Sequence, residues 1–270
     1  MPKKKARAVD ARDNIKLVTS NRFITAYGTE ELTLKARKLL FLAIAQCRQN
    51  DKKFYEYAIT PIEFSTIMGI DVSNLYQEVE SITQELMSLS IRITEADGGF
   101  TKFHVFNKCT YSPENDIVFR LNDEMAVLLL NLTSNFSKPL LSDFTKMKSN
   151  YAMQTWHLMQ SKMNSRKPTS TETITFYISL DELRQATGTQ DKLPQLVHFK
   201  ERVLDRTIKE VRTNAGVDIS YTNVKKGRTV VGFDFTARST FYFDVSKLDP
   251  DFIQAVEERA EAARKKGGII

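Results

Sequence analysis

Residues 59–69 read ITPIEFSTIMG and residues 178–188 read ISLDELRQATG. The two share Ile59 and Ile178, a hydroxyl at Thr60 and Ser179, Glu63 and Glu182, an apolar residue at Phe64 and Leu183, and Gly69 and Gly188. Each reads as a strand end, an N-cap, a short helix with glutamate at its third position, and a glycine stop. Ser or Thr followed three residues later by Glu is a capping box, in which side chains and backbone satisfy the free donors of a helix start. Pro61 suits the first helical position, because the N–H it lacks would have no partner there.

The surroundings of the two copies also repeat. Upstream of the first, Thr29-Glu30-Glu31-Leu32 opens an expected helix to about Gln49, with Leu32, Leu39, Leu40, Ala43 and Ile44 at helical spacing. Phe54–Ile59 is an expected strand. After the motif, a helix from near Ser73 to Leu89 carries Leu75, Val79, Ile82, Leu86 and Leu89 on one stripe. A hairpin follows: Ile91–Thr94, a turn at Asp97-Gly98-Gly99, then Lys102–Lys108. Ile117–Leu121 is a further strand, and Asn122-Asp123 caps an apolar helix through Leu132. The second half has a helix over Ser149–Met163, a strand over Thr175–Ile178, the motif helix Leu180–Thr187, a longer helix over Val197–Thr213 and a hairpin around NVKKGRTV (Asn223–Val230).

Helix, strand, short helix, longer helix, hairpin, twice over, is the pattern of two tandem winged helix-turn-helix domains in an α+β chain. In such a fold the second helix fits the major groove of DNA. The expected divisions are a flexible basic tail at 1–14, a first winged helix at 15–135, a second at 136–248, and a terminal helix and tail at 249–270.

Composition is consistent with this. The chain has 270 residues, 41% hydrophobic and 27% charged, with a net charge of +6. That balance favours polyanionic partners. Two isolated cysteines, Cys47 and Cys109, fit a reducing, cytoplasmic setting and offer no CxxC for a metal. The longest apolar run, Leu39–Ala45, falls far short of the ~20 residues that span a bilayer. The basic N-terminus has no apolar run behind it and does not read as a signal peptide.

The two longer helices differ in charge. Asp71–Leu89 contains Asp71, Glu78, Glu80 and Glu85 and no Lys or Arg. On a wheel of 100° per residue, Phe199, Val203, Leu204, Ile208 and Val211 fill one half of the other helix, and Arg202, Arg206 and Lys209 share a narrow opposite sector. Lys200, Arg202, Arg206 and Lys209 are therefore the expected base-reading residues, since Arg and Lys pair with guanine edges and phosphates. A solvated face held by i,i+4 pairs such as Asp205–Lys209 is the plain alternative. The hairpin tip adds Lys225, Lys226 and Arg228, expected to hold phosphates as a wing. Lys35, Arg37, Lys38 and Lys102 are expected auxiliary backbone contacts of the first half, although the first three also fit the solvated face of a helix.

SNRFITA (Ser20–Ala26), LTLKARKLLFLAIA (Leu32–Ala45), MKSNYAMQTWHLM (Met147–Met159), ISLDELRQATG, FKERVLDRTIKEV (Phe199–Val211) and KKGRTVVGFDF (Lys225–Phe235), in this order, resemble the iteron-binding, theta-type plasmid replication initiators. The resemblance implies that the second winged helix reads direct repeats through the helix holding Lys200, Arg202 and Arg206. It implies that the first winged helix adds backbone contacts and a homodimer interface. It also implies that monomers start replication, that dimers repress the initiator's own gene, and that a host initiator ATPase and replicative helicase are partners. The chain departs from the family at Gln154-Thr155-Trp156-His157, where Arg-Leu-Tyr-Glu-like runs are common, and in the acidic character of the first long helix.

No enzyme activity, cofactor or metal is expected. His104, His157 and His198 are scattered, without the His-x-His pair that a rolling-circle nickase needs, and no P-loop is present. A two-domain transcriptional repressor would use the same residues; only the resemblance separates the two. A membrane-surface adaptor has no support beyond the basic tail and the final helix.

Overall fold

The computed structural model describes residues 6–9, 14–26, 28–48, 51–95, 97–111, 116–242, 254 and 258. The first half runs β1 (Arg7–Ala8), β2 (Thr19–Ser20), α1 (Asn21–Ile24), α2 (Leu34–Ala45), β3 (Tyr57–Ile59), α3 (Pro61–Met68), α4 (Leu75–Ser88), β4 (Ser90–Thr94), β5 (Phe100–His104), β6 (Phe106–Thr110), β7 (Ile117–Leu121) and α5 (Ala126–Leu129). The second runs β8 (Phe136–Ser137), α6 (Leu141–Thr145), α7 (Asn150–Lys162), β9 (Thr173–Ser179), α8 (Leu180–Thr187), α9 (Leu196–Phe199), a π turn at Lys200–Asp205, α10 (Arg206–Ala215), β10 (Val217–Lys226) and β11 (Thr229–Ser239).

Both capping boxes form. The Glu63 backbone N–H donates to Thr60 Oγ1 at 3.3 Å, and the Thr60 N–H donates back to Glu63 Oε2 at 3.2 Å. In the second copy the distances are 3.1 and 3.2 Å between Glu182 and Ser179. Gly69 and Gly188 end their helices in the left-handed region at φ 66° and 61°, where a Cβ is costly. Behind each motif helix the longer helix buries its apolar stripe: Leu75, Val79, Ile82 and Leu86 in α4, and Phe199, Val203, Leu204 and Val211 along residues 196–215. The two winged helices are thus built on one plan.

The sheets complete it differently. In the second half β10, β11 and β9 form one antiparallel sheet, with β11 in the centre. In the first half β4 and β5 pair separately, and a four-stranded sheet of order β1-β3-β7-β6 lies beside them. The strand expected over Lys102–Lys108 breaks at Val105. There the buried backbone turns from one sheet to the other, its N–H donating to Leu89 O at 3.1 Å and its carbonyl accepting from Asn122 at 2.8 Å.

Three other expectations are corrected. The helix expected from Thr29 is a single tight turn, Thr29–Glu31; α2 starts later, capped by Thr33. The helix expected through Leu132 stops at Leu129, and Asn131 leaves it with φ 53°. That run is apolar because Leu128, Leu129 and Leu130 are buried, not because the helix is long. The tail is not free throughout its first 14 residues. Arg7–Ala8 pairs in parallel with Tyr57–Ala58, while the Arg7 guanidinium bonds Asp51 at 3.0 Å and lies 3.3 Å from the Tyr55 ring centroid. The expected C-terminal helix, Pro250–Arg264, lies outside the described residues apart from Gln254 and Glu258.

The halves share a continuous hydrophobic core, and α7 is the beam between them. β2 pairs with β8, linking Thr19–Ser20 to Phe136–Ser137. His157 of α7 bonds Thr19 Oγ1 through Nε2 at 2.9 Å inside a ring of Phe23, Phe41 and Phe144. Gln185 of α8 donates to the Thr25 carbonyl at 2.9 Å. Burial, and secondarily the charge of Arg37, lowers the His157 pKa to about 3, so the imidazole is neutral in this joint. Among the described residues no helix is long and apolar enough to cross a membrane.

Candidate nucleic-acid interface

The exposed surface of residues 196–215 and the β10–β11 tip form the candidate interface. Sequence places the helix here for a simple reason: its apolar half seals the second winged helix, so its polar half must face out. Arg202, Arg206 and Lys209 are all exposed. The hairpin closes through Gly227-Arg228, with Lys226 opposite Thr229. Gly227 has φ 62°, a conformation that two-residue hairpin turns favour and that glycine adopts without strain. Lys225, Lys226 and Arg228 are exposed at this tip. Among the described residues, Arg202, Lys209, Lys225, Lys226 and Arg228 have no acidic partner within ion-pair distance.

Two of the expected readers behave differently. Lys200 is half-buried, and its Nζ lies 5.4 Å from the Tyr221 ring centroid and 5.7 Å from that of Phe233. It is held against the sheet instead of standing on the outer stripe. Arg206 is exposed but paired, its Nε bonding Glu210 Oε1 at 2.7 Å. The other oxygen of Glu210 accepts from the Lys148 and Ser149 backbone at 2.7 and 3.2 Å, at the start of α7. Arg206 therefore belongs to a link between this helix and the central beam. The Asp205–Lys209 pair does not form; Asp205 accepts from Tyr221 instead, at 2.9 Å.

The first half offers a weaker surface than expected. Arg37 is corrected: it is 2% exposed, and its guanidinium donates to the Thr29 carbonyl and to Asn150 Oδ1. A guanidinium spent on those buried acceptors cannot reach a phosphate. Lys35 pairs with Glu78 at 2.6 Å. Lys38 is half-buried, and that burial lowers its pKa, with Glu210 opposing the shift. Lys102 alone of the four is openly exposed, on β5 above the Phe100 ring at 5.7 Å. The acids of α4 have structural work: besides Glu78, Glu85 accepts from the Thr33 backbone and hydroxyl at 2.6 and 2.8 Å, reinforcing the cap of α2.

Sequence reasoning missed Arg184. Its guanidinium donates to the carbonyls of Thr189, Lys192 and Leu193 at 2.6, 3.0 and 3.0 Å and lies 4.8 Å from the Phe199 ring centroid. It fixes the turn between α8 and the following helix. Its contacts are mostly to carbonyls, which leave no mark on residue pattern, so no sequence signal pointed to it.

Comparisons with known proteins agree with this architecture. Residues 16–160 match the family model described as "Initiator Replication protein, WH1", and residues 179–237 match "Initiator Rep protein, WH2". A solved structure, "Crystal structure of Pi initiator protein in complex with iteron DNA", superposes with a TM-score of 0.70 at 18% identity, covering 85% of this chain and 99% of that one. At that identity the likeness speaks for the fold.

Proposed function

The chain belongs to the Initiator Replication protein family, and from that premise we propose that it starts plasmid replication by binding direct repeats in origin DNA through its second winged helix. The observation that carries this is the set of five exposed cations with no acidic partner among the described residues, Arg202 and Lys209 on the helix and Lys225, Lys226 and Arg228 on the wing, all on one domain. Arg202 and Lys209 read base edges from the major groove, and the wing holds the flanking phosphates. Arg206 joins the readers when DNA draws it from Glu210. Lys102, on the hairpin of the first half, adds a backbone contact. Opening of an A·T-rich flank, recruitment of a host initiator ATPase and replicative helicase, and repression of the chain's own gene by a homodimer are part of this reading; kinship to the family supports them. Footprinting the purified protein on DNA beside its own gene is the test. Protection of several direct repeats is expected, and protection of a single inverted repeat would favour a plain repressor.

A further inference from the structure

The helix that faces solvent in the second winged helix is not a continuous α-helix. Residues 200–205 form a π turn between α9 and α10. Such turns are rare and occur often at functional sites, and something must hold this one against relaxing to α geometry. Tyr221 of β10 touches both its ends. Lys200 Nζ lies over the Tyr221 ring at 5.4 Å, and the Tyr221 hydroxyl donates to Asp205 Oδ1 at 2.9 Å. In an α-helix two residues five apart point about 140° away from one another, and one side chain does not reach both. In a turn closed i to i+5 they share a face. The Tyr221 ring is itself fixed, packed edge-on against Phe233 at 5.4 Å and tilted against Phe235 at 5.9 Å.

The turn has a consequence for whatever the helix touches. Side chains before it are rotated, by up to about the 100° of one residue, relative to those after it. Val197, His198, Glu201 and Arg202 are exposed before and within it, besides Asp205, and Arg206 and Lys209 are exposed after it, with Arg212 and Thr213 further along. The amino-terminal residues of a recognition helix are those that meet base edges, and Val197, 71% exposed, has the apolar surface that suits a thymine methyl.

We infer that Tyr221 is a positioning residue for DNA reading: it clamps the π turn and so sets the phase of Val197, His198, Glu201 and Arg202 against Arg206 and Lys209. This rests on the proposed function above. Desolvation and the Asp205 carboxylate both raise the Tyr221 pKa, which keeps the hydroxyl a donor throughout the neutral range.

The test uses the full chain with duplexes carrying the repeats beside its gene, single-base variants of them, and a random duplex. Tyr221→Phe keeps the ring and removes the hydroxyl. Asp205→Ala removes the acceptor without touching the aromatic packing. Asp205→Asn keeps an acceptor. Tyr221→Phe and Asp205→Ala each lower affinity for the repeats by about tenfold, and together they cost no more than either alone. Asp205→Asn restores most of the loss. Thermal midpoints, affinity for random duplex and the salt slope stay near wild type. An unchanged ratio of repeat to random affinity in both single variants overturns the clamp, and so do additive losses. A wild-type chain that binds the repeats no better than random duplex instead overturns the proposed function, whatever the variants do.

Discussion

The two winged helices share a capping box, a glycine stop and a stripe of buried apolar residues, yet they spend their charge in opposite ways. In the first, two of the three acids of α4 are spent within the unit, Glu78 on Lys35 and Glu85 on the cap of α2, while Glu80 stays exposed. In the second, Arg202 and Lys209 on the helix and Lys225, Lys226 and Arg228 on the hairpin tip turn outward with no acidic partner among the described residues, whereas Arg206 and Arg212 are paired with Glu210 and Asp218. The same scaffold yields a self-neutralised unit and a surface that an anion would complete. Fold alone therefore does not distinguish the two units; the destination of each charge does.

The largest effect should come from an arginine that the sequence placed on the wrong side of this contrast. Arg37→Ala leaves the Thr29 carbonyl and Asn150 without their buried charged donor and should cost roughly 3 kcal/mol of folding stability, read as a lower urea midpoint. The folded fraction should bind DNA normally. Arg202→Ala should do the reverse, leaving the midpoint unchanged and costing about 1–3 kcal/mol of binding to the repeats. If Arg37→Ala weakens binding in proportion and leaves stability intact, Arg37 is a DNA contact and not an interior strut.

Next come the two hairpins. Replacing Lys225, Lys226 and Arg228 together by alanine should lower the log–log salt slope of binding by about 2.7, at about 0.9 per phosphate contact. Lys102→Ala on the opposing hairpin should lower it by no more than about 0.9. Equal losses from the two changes would erase the contrast between wings.

The joint common to both units has its own signature. Neutral His157 is preferred in the folded state, with a pKa of about 3 against an ordinary 6.5. Between those values the unfolded chain takes up a proton that the folded chain refuses. The stability it contributes is fully present above about pH 6.5 and lost as the pH falls toward 3. Urea midpoints should decline across that window, and His157→Gln should flatten the decline.

Much of this was legible in residues 59–69 and 178–188, because a capping box is local: the residues that make it lie within four positions. The apolar stripes were legible for the same reason. What escaped depends on distant partners. Lys35, Arg37 and Lys38 have the spacing of a solvated face, but Asn150, over a hundred residues away, turns Arg37 into an interior strut. The wheel placed Arg202, Arg206 and Lys209 on one outer face, and all three are exposed. It assumed an unbroken α-helix, though, and Tyr221 on β10 lies beyond its reach. The break at Val105 likewise follows from Leu89 and Asn122, neither adjacent to it.

The smallest effect probes the claim that the first unit is neutralised from within. Lys35 and Glu78 form a partly exposed ion pair at 2.6 Å, with side chains 39% and 32% exposed. Such pairs are worth no more than about 1 kcal/mol, so Lys35→Ala should shift the urea midpoint only slightly. The informative measurement is binding. A lysine whose charge is already met by Glu78 contributes no phosphate contact, and Lys35→Ala should leave the salt slope where it was. Glu78→Gln makes the complementary case: it frees Lys35 and removes a negative charge from α4. If charge alone makes the first unit the weaker DNA surface, that single change should raise affinity for random duplex while repeat preference falls. If affinity is unmoved, shape also separates the two units, and the four-stranded sheet beside β4–β5, which has no counterpart among the described residues of the second half, is where that difference lies.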